Sequence, residues 1–259
     1  MEELRRPNFR QAALFAILLD GILLVLGWLW IGPPQTMGPI ASYKLTAIIG
    51  LPTITQLLEA RHQFSVIGFQ EFDTLHVIVT CLMYVVFLLA SAYYIGMLAR
   101  TKRELPTPAT QDAKLAWPAL FLWMVVQLVV MAVLSFVIST FGGWITHNLG
   151  NFALGALMIL VMLGFRFWFL YVEYAAVVLR LGVFGAMRQA RRLLSVSKAE
   201  SFFHFLTLCI VSFVLAYAVN RYFNVPVLMG VLVVNGLVQT WLQMRLMEGF
   251  FRAVERLQG

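Results

Sequence analysis

Residues 12–31 read AALFAILLDGILLVLGWLWI, twenty residues with one charge, Asp20, closed by Gly32-Pro33-Pro34. A helix rises about 1.5 Å per residue and the hydrocarbon core of a bilayer is about 30 Å thick, so this run is long enough to cross once. It is too long for the apolar part of a signal peptide and has no convincing cleavage site, so it reads as a retained helix. Five further runs have the same character, over about 75–98, 117–138, 152–178, 202–219 and 225–246. Transmembrane strands alternate over short segments, whereas these runs are continuously apolar and far longer.

Composition agrees. The chain has 259 residues, 61% of them hydrophobic and 12% charged, and a mean hydropathy of +0.84. Soluble domains are about one-quarter charged. So little polar surface excludes a soluble enzyme, a disordered chain and a secreted disulfide scaffold. Cys81 and Cys209 lie in apolar runs, form no metal-ligand spacing and read as packed free thiols.

The loops orient the bundle. Arg5, Arg6 and Arg10 precede the first run. Arg100, Lys102, Arg103 and Lys114 follow the second. Arg180, Arg188, Arg191, Arg192 and Lys198 follow the fourth, and Arg245, Arg252 and Arg256 close the chain. The opposite side has only Lys44, Arg61 and Arg221. Basic residues collect on the cytoplasmic side, which predicts both termini in the cytoplasm of a multi-pass plasma-membrane protein, of the prokaryotic inner-membrane type. The same sorting accounts for the net charge of +7 without nucleic acid, for which no motif is present. The expected fold is therefore all-α: a polytopic transmembrane helical bundle of six spans in a single membrane domain, N-in and C-in.

Residues 41–58 are also fairly apolar. A seventh span there would invert the loops around Lys102 and Arg191, so the charge bias rejects it. Residues 36–73 read as an extracytoplasmic segment with a helix, lying on the membrane or dipping into it, with Leu51, Ile54, Leu57 and Leu58 on one face. Re-entrant backbone is tolerated only where protein or water satisfies it.

A basic amphipathic cytoplasmic helix is expected over 183–199, before the last two spans. Phe184, Met187, Ala190 and Leu194 fall at helical spacing, and Arg188, Arg191, Arg192 and Lys198 occupy much of the rest. Three readings stand: an interfacial helix with its basic face on anionic headgroups, a loop that only fixes topology, or a docking helix for a cytoplasmic protein partner. At the C-terminus, Met247, Phe250, Phe251 and Val254 form a stripe that continues the sixth span. The stretch Gly185-Ala186-Met187-Arg188-Gln189-Ala190-Arg191-Arg192-Leu193-Leu194, followed by Phe202-Phe203-His204-Phe205, resembles the segment before the last two helices of a bacterial six-helix membrane family. That family includes the glycerophosphodiester phosphodiesterase membrane domain. The resemblance covers about 40 residues. It implies a membrane domain without a catalytic motif of its own, and it carries no site residues to this chain.

Ionisable groups inside a membrane are costly and therefore informative. Asp20 lies in the first span; Arg166 and Glu173 lie seven apart in the fourth and share a face. Helical rise puts all three at overlapping depths. An Asp20–Arg166–Glu173 cluster reads either as a substrate or proton site or as a charge-neutralised structural group. Asn235, Gln239 and Gln243 make a polar stripe on the sixth span, and Gln127 lies near the middle of the third. Such stripes join helices or line a hydrophilic path. Gly142-Gly143, Gly150 and Gly155, near the outer end of the third and fourth runs, read as a tight turn and close packing, and Gly164 as a helix-packing position. Trp28, Trp30 and Trp144 are expected at the outer interface, and Tyr93, Tyr94 and Trp117 at the inner one.

No paired-histidine metal motif, phosphate-binding glycine loop or nucleophile-elbow serine occurs. No catalytic residue, metal ligand or cofactor is assigned. Glu59, His62, Glu71, Asp73 and His76 match no strong spacing and read as a solvated loop. The leading functional expectation is a non-enzymatic membrane component, permease-like or an accessory subunit of a larger assembly. The alternatives are a membrane enzyme acting on a lipid or isoprenoid-type substrate, and a structural or regulatory membrane protein.

Overall fold

The computed structural model describes residues 7–31, 47–59, 74–103 and 105–258. Their order is α1 (Pro7–Ile31), a 3-10 turn (Ile54–Gln56), α2 (Thr74–Arg100), α3 (Ala109–Trp168), α4 (Val172–Val178), α5 (Val183–Arg221) and α6 (Val225–Gln258). The protein is an all-α polytopic membrane-type bundle. Five helices in the described residues are long and apolar enough to cross a membrane. Helix α2 is 27 residues long, and its apolar stretch with described side chains is the shorter Tyr84–Arg100.

Prolines and small polar residues start these helices. Pro7 opens α1, Pro108 precedes α3 and Pro226 sits in the first turn of α6, where a missing N–H costs nothing. Asn224 caps α6, its Oδ1 accepting from Val227 N at 2.9 Å.

Helix α3 departs from the expected pair of separate spans. Its backbone is helical over 60 residues, a rod of roughly 90 Å if straight. Yet the Trp123 and Phe165 rings stack at 5.8 Å, although a straight helix would hold them about 63 Å apart. The element is therefore folded back on itself as two antiparallel arms. The apolar span reaches Val178 as expected, but not as one continuous helix. Phe169 (φ −112, ψ 28) and Tyr171 (φ −98, ψ 7) break it, and α4 follows as a short separate helix.

Helix α5 bends at Ser197 (φ −133, ψ 22). The Ser197 hydroxyl donates back to Leu193 O at 2.8 Å, a bond that diverts the helix ladder and bends it. The bend separates the basic 183–196 portion from the following span. The buried stripe of that portion is Val183, Ala186, Ala190, Leu193 and Leu194, whereas Phe184 is 78% exposed. The apolar face thus packs on the protein rather than lying free for lipid: of the expected face, Met187, Ala190 and Leu194 lie on it, and Phe184 does not.

One end of the bundle gathers the basic loops. Asn8 Nδ2 donates to Arg100 O at 3.0 Å, Lys102 pairs with Glu248 at 2.9 Å, and Arg103 pairs with Glu255. Asp112 bridges Arg100 at 2.6 Å and Arg180 at 3.0 Å. Glu200 pairs with Arg252 at 2.6 Å. The start of α1, the end of α2, the start of α3 and the end of α6 therefore lie together. Several of these pairs are half-exposed and add little stability individually; their value is in locating the helix ends.

Two packing expectations change. Tyr94 is not an interface residue but fully enclosed, its hydroxyl donating to Thr240 Oγ1 at 3.0 Å. Gly155 and Gly164 approach nothing, and the close helix contact is instead Gly236 of α6 against Ile17 of α1. Replacing Gly236 with Leu is expected to force α1 off α6 and to lower Tm in detergent. Leu at Gly164, where a side chain meets open space, should leave Tm within a few degrees. Parallel thermal melts check the pair.

Candidate functional site

The most constrained region is residues 47–59, which run without α-helix through the interior. Ile48, Leu51, Thr53, Ile54, Leu57 and Leu58 are all buried. The expected shared face of Leu51, Ile54, Leu57 and Leu58 is present, but it belongs to an irregular segment with one 3-10 turn, not to a surface helix. Gly50 makes the sharp bend at φ +90, and a side chain there would meet Ser91 Oγ at 2.6 Å.

Lipid offers no hydrogen bonds, so this backbone must be satisfied from within. Side chains from the helices do it. Gln243 Oε1 accepts from Gly50 N at 3.1 Å. Ser91 Oγ accepts from Leu51 N at 3.2 Å. Asp20 Oδ2 accepts from Ile54 N at 2.7 Å. Asn220 grips both sides of the exit, its Oδ1 accepting from Glu59 N at 3.0 Å and its Nδ2 donating to Leu57 O at 2.9 Å. Arg166 Nη2 reaches Ile49 O at 3.5 Å. Within the segment, Gln56 Oε1 accepts from Thr53 N at 3.3 Å. Helices α1, α2, α3, α5 and α6 each contribute one polar residue to a single loop.

The predicted charge cluster divides accordingly. Arg166 and Glu173 pair at 2.5 Å across the break between α3 and α4. Trp123 Nε1 donates to Glu173 Oε1 at 2.9 Å. Gln127, with its amide oxygen turned inward, accepts from Arg166 Nη1 at 2.9 Å and Trp123 Nε1 at 2.8 Å. This knot ties the two arms of α3 together, with Phe165 and Phe169 packed on Trp123. Asp20 belongs to the Ile54 amide instead. Of the polar stripe, Gln239 donates to Ser212 Oγ at 2.9 Å, Gln243 holds Gly50, and Asn235 is enclosed.

Arg188, Arg191, Arg192 and Lys198 are exposed; Arg191 lies 4.9 Å over the Phe169 ring. Cys209 is a buried free thiol. His62, Glu71 and Asp73 fall outside the described residues, and the side chains of Cys81 and His76 do as well. Among the described residues, no group of His, Cys, Asp and Glu is arranged to hold a metal ion. Sequence reading missed Ser91, Asn220, Gly50 and Trp123. The one available signal was Asn220 beside Arg221 at a helix end, where a polar residue looks interfacial. No family model, curated protein or solved structure matches the chain.

Truncating Asp20 to Ala leaves the Ile54 amide buried without a partner, at a cost of about 1–3 kcal/mol. Asp20→Asn retains an acceptor oxygen and should lose much less. Arg166→Met strands the Glu173 carboxylate, at about 3–5 kcal/mol, and the double change Arg166→Met with Glu173→Gln should recover much of it. Denaturant titration of the purified protein in detergent reads all four.

Proposed function

We propose that the protein is a non-enzymatic integral membrane component, an accessory subunit of a larger membrane assembly. Six spans place both termini in the cytoplasm, and the basic helix lies toward anionic headgroups. One observation carries the reading: the ionisable groups inside the bundle are engaged in internal contacts. Asp20 holds Ile54, and Arg166 and Glu173 hold each other, Trp123 and Gln127. An enzyme acting on lipid needs a carboxylate free to meet a headgroup, and these carboxylates are buried in structural roles.

The outward surfaces support the same reading. Arg188, Arg191, Arg192 and Lys198 leave the basic end exposed, which suits anionic headgroups and a partner at that face. The sorting of basic residues supports the orientation. The resemblance of 185–205 to a membrane family without a catalytic motif of its own points the same way. The permease-like form of the reading is favoured by the re-entrant segment, since irregular backbone at membrane depth recurs in transporters.

Two measurements test this. With Cys81 and Cys209 replaced by Ser, an impermeant maleimide applied to intact cells should label Asn224→Cys and spare Ser195→Cys until the membrane is opened. The reverse pattern contradicts the orientation. Native mass spectrometry of the chain extracted in lipid nanodiscs should show a stoichiometric partner. A lone chain at every extraction condition contradicts the subunit reading.

A further inference from the structure

Helix α6 presents Asn235, Gln239 and Gln243 at four-residue steps, all fully enclosed. Four of their amide atoms have no partner: Asn235 Nδ2 and Oδ1, Gln239 Oε1 and Gln243 Nε2. The remaining atoms are engaged, Gln239 Nε2 on Ser212 and Gln243 Oε1 on Gly50 N. Buried polar atoms are nearly always paired, so four orphans on one helix face require an account. Along the helix they are a donor and an acceptor on Asn235, an acceptor on Gln239 and a donor on Gln243.

We propose that this row holds two internal water molecules, each of which both donates and accepts hydrogen bonds. The donor–acceptor pattern selects the class. A cation would face the N–H groups of Asn235 and Gln243. An anion would face the carbonyls of Asn235 and Gln239. A water accepts from Asn235 Nδ2 and donates one proton to Asn235 Oδ1 and the other to Gln239 Oε1, and a second accepts from Gln243 Nε2 and donates to the other lone pair of the Gln239 oxygen. Two hydrogen bonds of about 2.8 Å meeting at a water at roughly the tetrahedral angle join atoms about 4.5 Å apart, and amide side chains one helical turn, about 6 Å, apart can reach across that gap. Internal waters of this kind make two to four bonds to otherwise unpaired groups. Because Gln243 also holds Gly50, the hydrated row backs onto segment 47–59 and keeps a polar face on α6 where it meets that segment.

The sign of one substitution separates a hydrated row from a dry one. Asn235→Leu keeps the branching of the side chain, with somewhat larger terminal groups, and removes two of the orphan atoms. If the row is hydrated, the change removes bridged bonds and leaves a water short of partners, so Tm in detergent should fall by about 2–4 °C or more. If the row is dry, the change relieves unpaired polar groups, and an unchanged or raised Tm overturns the proposal. Should the variant fail to fold, the unmodified protein decides. A structure from a lipidic phase at better than about 2 Å should show two solvent peaks within hydrogen-bond distance of Gln239 Oε1, whereas amides paired directly with protein groups and no solvent there refute the site.

Discussion

The architecture depends on one constraint: a stretch of backbone without α-helix, residues 47–59, lies inside a membrane-type bundle and must have its N–H and C=O groups satisfied there. In water, burying Ile48, Leu51, Ile54, Leu57 and Leu58 would supply a large hydrophobic gain. In a bilayer that gain shrinks, because lipid tails are as apolar as leucine. Unpaired backbone groups, by contrast, cost several kcal/mol each in hydrocarbon. Hydrogen bonds therefore decide whether the segment stays. Asp20, Ser91, Asn220 and Gln243 supply them at 2.7–3.2 Å from four different helices, and Arg166 adds a longer one from a fifth.

The rest of the bundle can be read outward from that loop. The Arg166–Glu173 pair closes the base of the α3 arms, where Trp123 and Gln127 share its hydrogen bonds. Gly236 lets α1 approach α6 closely, on the helix that carries the asparagine and glutamine row. The Ser197 bend turns α5 so that its small residues Ala186 and Ala190 pack inward while its arginines stay outside. Polar groups inside thus serve structure, and the basic side chains Arg188, Arg191, Arg192 and Lys198 stay exposed. That division is the physical basis of the accessory-subunit proposal.

Much of this was legible in the sequence. Apolar runs of about 20 residues announce membrane helices because length and hydropathy suffice. The seven-residue spacing of Arg166 and Glu173 put them on one face, about 10 Å apart along a straight helix, and they meet across the helix break between them. Other parts were hidden for identifiable reasons. Asp20 was grouped with Arg166 by depth alone, but a carboxylate can as well accept from a backbone amide, and Ile54 is such a partner. Ser91 and Asn220 carry no charge and look like ordinary small or interfacial residues until a loop is known to lie against them. The irregular path of 47–59 leaves no periodicity to read. Tyr94 suited an aromatic belt by position, yet its hydroxyl finds Thr240 inside.

Hydrogen–deuterium exchange of residues 47–59 in lipid nanodiscs tests the central claim most directly. If side chains from the helices hold this backbone, the amides of Gly50, Leu51 and Ile54 should exchange as slowly as those in the middle of α6, over hours or longer. Exchange of these amides within seconds, like that of an exposed loop, would show that the segment lies in water and that the five polar residues do not hold it.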